Sequence, residues 1–165
     1  MVLVYGEPIT RWSCEYTQCS SRCCKEGREV TIRDIKKISE GTGLEPEEFL
    51  KNLSSKGGLF HLKGNEDRCG FLSDDDLTCG LHKKGLKPLF CQMYPFKFDG
   101  IIYADDLVLK VRPTHECPTI GIGDELTEDF EITIESLGNR FIRDIEDYIR
   151  LKSEGKDFGE IFSTV

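Results

Sequence analysis

The segment CEYTQCSSRCC, Cys14 to Cys24, places four thiols within eleven residues, and Cys69, Cys79, Cys91 and Cys117 follow it. Thiols this dense either cross-link the chain or take up metal, and compartment and size decide between the two. A chain of 165 residues with 38% hydrophobic content buries a core without disulfide staples, so one domain over residues 1–165 is expected. The opening MVLVYGEPITRW reaches an acid and a proline after a few apolar residues, with no signal-peptide core or cleavage site. No apolar run approaches the roughly 18 residues of a membrane span. A soluble, cytoplasmic protein with reduced thiols is therefore expected, and a metal site rather than a disulfide framework.

Eight cysteines make two sets of four, the number that a tetrahedral zinc site or a 4Fe-4S iron-sulfur cluster takes. No C-x2-C pair of the zinc-ribbon kind occurs. Cys14, Cys19 and Cys23 instead form C-x4-C-x3-C, close to the C-x4-C-x2-C run of plant-type ferredoxins. Neighbouring side chains leave the backbone in different directions, so adjacent Cys23 and Cys24 either divide between two sites or take different roles. The plain alternative is that several of the eight are core residues, because free cysteine is among the most buried side chains.

The rest of the chain reads as α+β. Thr31 with Asp34 forms a capping box for a helix whose stripe is Ile32, Ile35 and Ile38. GTG at 41–43 ends it, and Pro46 opens another helix through PEEFLKNL. CGFL and LTCGLH, separated by SDDD, fit a loose hairpin. From Tyr94 to Arg112 a short antiparallel β-meander is expected, with Asp99-Gly100 as its tight turn and LVLKV as a further strand. Ile134, Leu137, Phe141, Ile142, Ile145, Tyr148 and Ile149 recur at helical spacing and predict a long carboxy-terminal amphipathic helix, which Gly138 weakens.

Charge excludes one class of partner. Thirty acids against 22 bases leave a net charge of −8 with no basic stripe, which argues against nucleic acid. GIG at 121–123 follows no clear strand and lacks the third glycine of a nucleotide loop, so it reads as a turn. His61, His82 and His115 are candidate ligands or bases, and His115 stands two residues from Cys117. The acids at 74–76 and 105–106 read as turn formers.

Taken in order, CEYTQCSSRCC, VTIRDI, CGFL, LTCGLH, KPLFCQMYPF and CPTIGIG resemble the successive motifs of the CxxCxxCC family of zinc- or iron-chelating domains. The resemblance runs from about Cys14 to Gly123. It departs in the wider spacing of the first cluster, in Gln92 where the family has arginine, and in His82 where it has tyrosine. It implies metal chelation by Cys14, Cys19, Cys23, Cys24, Cys69, Cys79, Cys91 and Cys117. It also implies a more distant similarity to flagellin lysine N-methylases, which use S-adenosylmethionine. Three functions follow as expectations: an iron-sulfur protein with a redox role or a role in modifying a protein partner, a zinc-stabilised interaction module, and a protein lysine methylase. In each, the last four cysteines are expected to converge on the first four.

Overall fold

The computed structural model describes residues 1–165. Its elements run β1 (Val2–Val4), α1 (Tyr16–Cys19), β2 (Glu29–Val30), α2 (Ile32–Thr42), α3 (Pro46–Phe49), β3 (Phe60–His61), β4 (Gly64–Asn65), β5 (Arg68–Cys69), α4 (Gly80–Lys83), α5 (Leu89–Gln92), β6 (Phe96–Tyr103), β7 (Leu107–Pro113), α6 (Glu128–Ser153) and α7 (Phe158–Thr164). The class is α+β, as the sequence predicts. No helix is long and apolar enough to cross a membrane.

Helix α2 begins where its capping box lies. The Asp34 amide donates to Thr31 Oγ1 and the Thr31 amide to Asp34 Oδ2, each at 3.2 Å, and Ile32, Ile35 and Ile38 are fully buried. Gly43 at φ 76° closes the helix in the left-handed region. Pro46 does open α3, but that helix stops at Phe49 instead of continuing through Leu53. The reason is tertiary: the Lys51 amide donates to the His61 carbonyl and the Lys63 amide to the Phe49 carbonyl, both at 2.9 Å, which draws residues 49–51 alongside 61–63.

The expected meander differs in its turn and in its third strand. Asp99-Gly100 is a bulge inside β6, with Gly100 at φ 132°, and the chain reverses over residues 104–106 instead. Asp99 stays in the strand because it faces β7, where Arg112 Nε lies 3.1 Å and Lys110 Nζ 3.8 Å from its carboxylate. β6 and β7 pair antiparallel, and the third strand is β1, parallel to β7 with Val2 opposite Leu109. The Met1 ammonium donates to the Leu107 carbonyl at 2.8 Å.

Helix α6 extends beyond its apolar stripe at both ends. Acids in its first turn (Glu128, Asp129 and Glu131) and bases in its last (Arg150 and Lys152) complement the helix dipole. Ile134, Leu137, Phe141, Ile142 and Ile145 join the cluster around Phe90, Met93, Leu109 and Val111. Tyr148 and Leu151 join the cluster around Phe60, Ile32, Ile35 and Ile38. One helix thus spans both apolar clusters, and each fully buried side chain of this size contributes about 1.5–3 kcal/mol.

A buried polar knot ties three helices together. Thr31 Oγ1 donates to Asp144 Oδ2 at 2.6 Å, Arg33 Nη1 to Asp144 Oδ1 at 2.9 Å, and the Leu89 amide to Asp34 Oδ1 at 3.1 Å. Burial raises the Asp34 pKa to about 6, against the lowering effect of the Thr31 and Leu89 amides.

Gly138 has a packing reason. A Cβ there would lie 2.5 Å from Val2 Cγ2, so the glycine lets β1 lie against α6. Gly138→Val should therefore cost about 1–3 kcal/mol by overpacking, read as a Tm lower by roughly 3–10 °C for a chain of this size. Val2→Ala in the same chain should recover part of that loss; no recovery would mean that the clash lies elsewhere.

Candidate metal centre

Local pairings gather cysteines that are distant in sequence. Residues 24–30 run beside 60–69: the Cys69 amide donates to the Cys24 carbonyl at 3.2 Å, Glu26 to Asp67 at 3.1 Å, and β2 pairs antiparallel with β3. The β4–β5 turn that presents Cys69 holds Glu66 and Asp67 at positive φ. Its Gly64 admits no side chain, since a Cβ would lie 1.6 Å from the Arg68 carbonyl oxygen. A loose hairpin then brings Cys79 back, with an antiparallel bridge between Leu72 and Cys79 and the Ser73 amide donating to the Thr78 carbonyl at 2.9 Å. Asp76 closes that turn by accepting from the Thr78 hydroxyl at 2.6 Å. Cys91 lies on α5, whose first residue Leu89 is the one bound by buried Asp34.

The other end of the chain supplies Cys117. Residues 10–13 pair with 121–126, where the Trp12 amide donates to the Asp124 carbonyl at 2.9 Å and the Leu126 amide to the Thr10 carbonyl at 2.8 Å. Thr119 Oγ1 donates to the Ser13 carbonyl at 2.6 Å. The residue preceding Cys14 is thereby fastened two residues from Cys117. Glycines 121 and 123 adopt positive φ, and GIG lies in a turn, as the sequence predicts.

All eight cysteines are free thiols; Cys14 is exposed and the other seven are half-buried. Cys23 and Cys24 are unlike. Each acts on the other in the opposite sense: the neighbouring thiol raises the pKa of Cys23 and lowers that of Cys24. Beyond that pair, Cys24 feels the charges of Cys79, Cys91 and Cys69, whereas Cys14 feels those of Cys23 and Cys19. Burial raises Cys14 and Cys69, and pushes the Cys91 thiol up to about 12.

Cys117 has its own surroundings. Burial would raise its pKa, but the Thr119 hydroxyl at 3.2 Å, the Trp12 indole N–H at 3.4 Å and the Tyr94 hydroxyl outweigh it and leave it lowered. Tyr94 is raised by burial and by its hydrogen bond to Cys117, and it also feels Cys23. Its ring meets Trp12 edge-on, with centroids 5.7 Å apart.

Two cations counter this accumulation of sulfur. Arg28 donates from Nε to the Cys23 carbonyl at 3.0 Å, and its charge lowers Cys23, Cys69 and Cys91. Lys87 acts likewise on Cys14, Cys23 and Cys91. His61 Nδ1 lies 3.0 Å from the Gly27 carbonyl, and His82 and His115 are exposed. Soft thiols offset by cations suit zinc or iron. No three of the chain's His, Cys, Asp and Glu side chains crowd to the spacing of a single bound ion.

A family model described as "Putative zinc- or iron-chelating domain" matches residues 13–118. The chain belongs to the CxxCxxCC family. Every one of the eight thiols falls within the matched span, so family membership indicates zinc or iron chelation by a region that the fold draws together. No curated protein and no solved structure matches the chain.

Sequence reasoning overlooked Trp12, Arg28, Lys87, Tyr94 and Thr119. Tyr94 was open to notice as part of the MYPF block, but the others are remote from Cys117 or ordinary in type, and only the fold aims them at sulfur.

Replacing Cys23 and Cys24 separately by serine should give unequal metal contents, because their electrostatic surroundings differ: Cys24 feels Cys79, Cys91 and Cys69, whereas Cys23 acts on Cys14 and Tyr94. Equal losses in both variants would show that the pair acts as one unit. Trp12 is the chain's single tryptophan, so its emission should change when a chelator strips metal under reducing conditions. In Cys117→Ala that change should largely vanish; an undiminished response would place the metal away from Cys117.

Proposed function

We propose that this CxxCxxCC protein holds iron as iron-sulfur clusters of the 4Fe-4S kind and carries electrons to or from a protein partner. Cys24, Cys69, Cys79 and Cys91 form one ligand set, and Cys14, Cys19, Cys23 and Cys117 the other. The observation that carries the reading is the pattern of the thiols: eight cysteines, two sets of four, all inside the matched family span, with C-x4-C-x3-C in place of the C-x2-C pairs of zinc ribbons.

A cluster held there supplies reversible one-electron transfer. The chain's own residues set the conditions. The Trp12 indole N–H donates to the Cys117 sulfur at 3.4 Å and stabilises negative charge on it. Arg28 and Lys87 offset the charge that thiolates bring into a half-buried region. Cys14 is exposed, which puts one edge of the thiol series within reach of a docking protein.

Anaerobically purified protein should be brown, with a charge-transfer band in the visible and stoichiometric iron and acid-labile sulfide. A strong chelator under reducing conditions should bleach it and lower its Tm, since ligation clamps Cys14–Cys24 to Cys69–Cys117. Colourless protein containing zinc and no sulfide would replace this reading with that of a zinc-stabilised interaction module.

A further inference from the structure

Helices α2, α5 and α6 frame a solvent-open surface cavity of about 360 Å³ whose walls include the exposed Arg33, Lys37, Arg140 and Arg143. This concentration of cations is unexpected in a chain with a net charge of −8. Three acids, Asp34, Asp144 and Asp147, share the lining, and each is engaged with groups of the fold itself. Asp34 accepts from the Thr31 and Leu89 amides, and Asp144 from the Thr31 hydroxyl and Arg33. Asp147 takes Arg33 Nη2 at 2.6 Å and Arg150 Nη2 at 3.4 Å.

The consequence is an imbalance of partners. Arg33 is held in place by two carboxylates, while Lys37, Arg140 and Arg143 make no ion pair and no hydrogen bond with the chain. Arg140 and Arg143 are three residues apart on α6, so they share a face with Asp144 and Asp147, and Lys37 approaches from α2. Guanidinium forks pair bidentately with carboxylate or phosphate, and a lysine point charge beside them adds a further donor that an anion with more oxygens, such as a phosphate, can engage.

We propose that this cavity is a binding site for a phosphoryl group, borne by a small phosphate monoester or present as free phosphate. Gln92 lines the cavity one residue from Cys91, and Leu89 of the same helix is fastened to Asp34. A phosphoryl group seated there touches the helix that presents a thiol to the metal centre. The site does not depend on which metal that centre holds.

Calorimetric titration of the full-length, metal-containing protein tests this at constant ionic strength with three probes: inorganic phosphate, phenyl phosphate and succinate. Both phosphates should bind saturably. Arg140→Gln combined with Arg143→Gln should weaken both by about tenfold or more, the factor that losing one charged contact produces. Lys152→Gln, in the last turn of α6 and outside the cavity, should leave them unchanged. Tighter binding of phenyl phosphate assigns the site to a monoester, and equal binding to the free ion. Absence of saturable binding, undiminished binding in the double variant with its Tm intact, or preference for succinate would each overturn the proposal.

Discussion

The buried hydroxyl of Thr31 and the carboxylates on either side of it are the contact on which the rest of the fold depends. Thr31 Oγ1 accepts from the Asp34 amide and donates to Asp144, so one atom both caps α2 and fastens it to α6. Asp34 extends the connection by accepting the Leu89 amide at the start of α5. Polar groups this deep stabilise a structure only when every lone pair and proton has a partner. That condition holds here: no buried side-chain nitrogen or oxygen lacks a hydrogen bond. The knot therefore specifies one arrangement of three helices, and with it the position of Cys91.

From that frame the thiols are delivered by short backbone pairings instead of one large sheet. The contact between Cys24 and Cys69, the loose hairpin to Cys79, and the pairing of residues 10–13 with 121–126 are each a few hydrogen bonds long. Pairings this brief are marginal alone. Shared ligation of metal would add the cross-links that such small units lack, which is how a metal becomes part of the folding free energy. The hydrogen bonds and cations around the sulfurs belong to the same design. Arg28 and Lys87 lower the cost of gathering thiolates, and Trp12 and Tyr94 give the Cys117 sulfur fixed donors.

Two charged regions meet at α5. One gathers thiols with two cations among them, and the other gathers cations around carboxylates already engaged with the fold. A four-residue helix held at its first amide by Asp34 is a short lever between them.

The sequence by itself determined what local physics can determine: the capping box at Thr31 and Asp34, the glycine that ends α2, the stripe of α6, the turn at GIG, and cysteine blocks specific enough to name a family. These features are legible because their partners lie within a few residues or within one helical period. Tertiary structure decided the rest. It turned Asp99-Gly100 from a hairpin turn into a bulge, because Arg112 and Lys110 across the sheet hold Asp99 in the strand. It cut α3 short by pairing residues 49–51 with 61–63, and it found β7 its parallel neighbour in residues 2–4. It also gave Gly138, a cost in helix propensity alone, its role as the seat of Val2. At the centre, eight thiols could be counted from the sequence, but which of them face one another could not. Contacts between residues far apart in the chain, such as Cys24 with Cys69 or Trp12 with Cys117, leave no period or spacing in a single sequence, so only the folded structure tells Cys24 from Cys23.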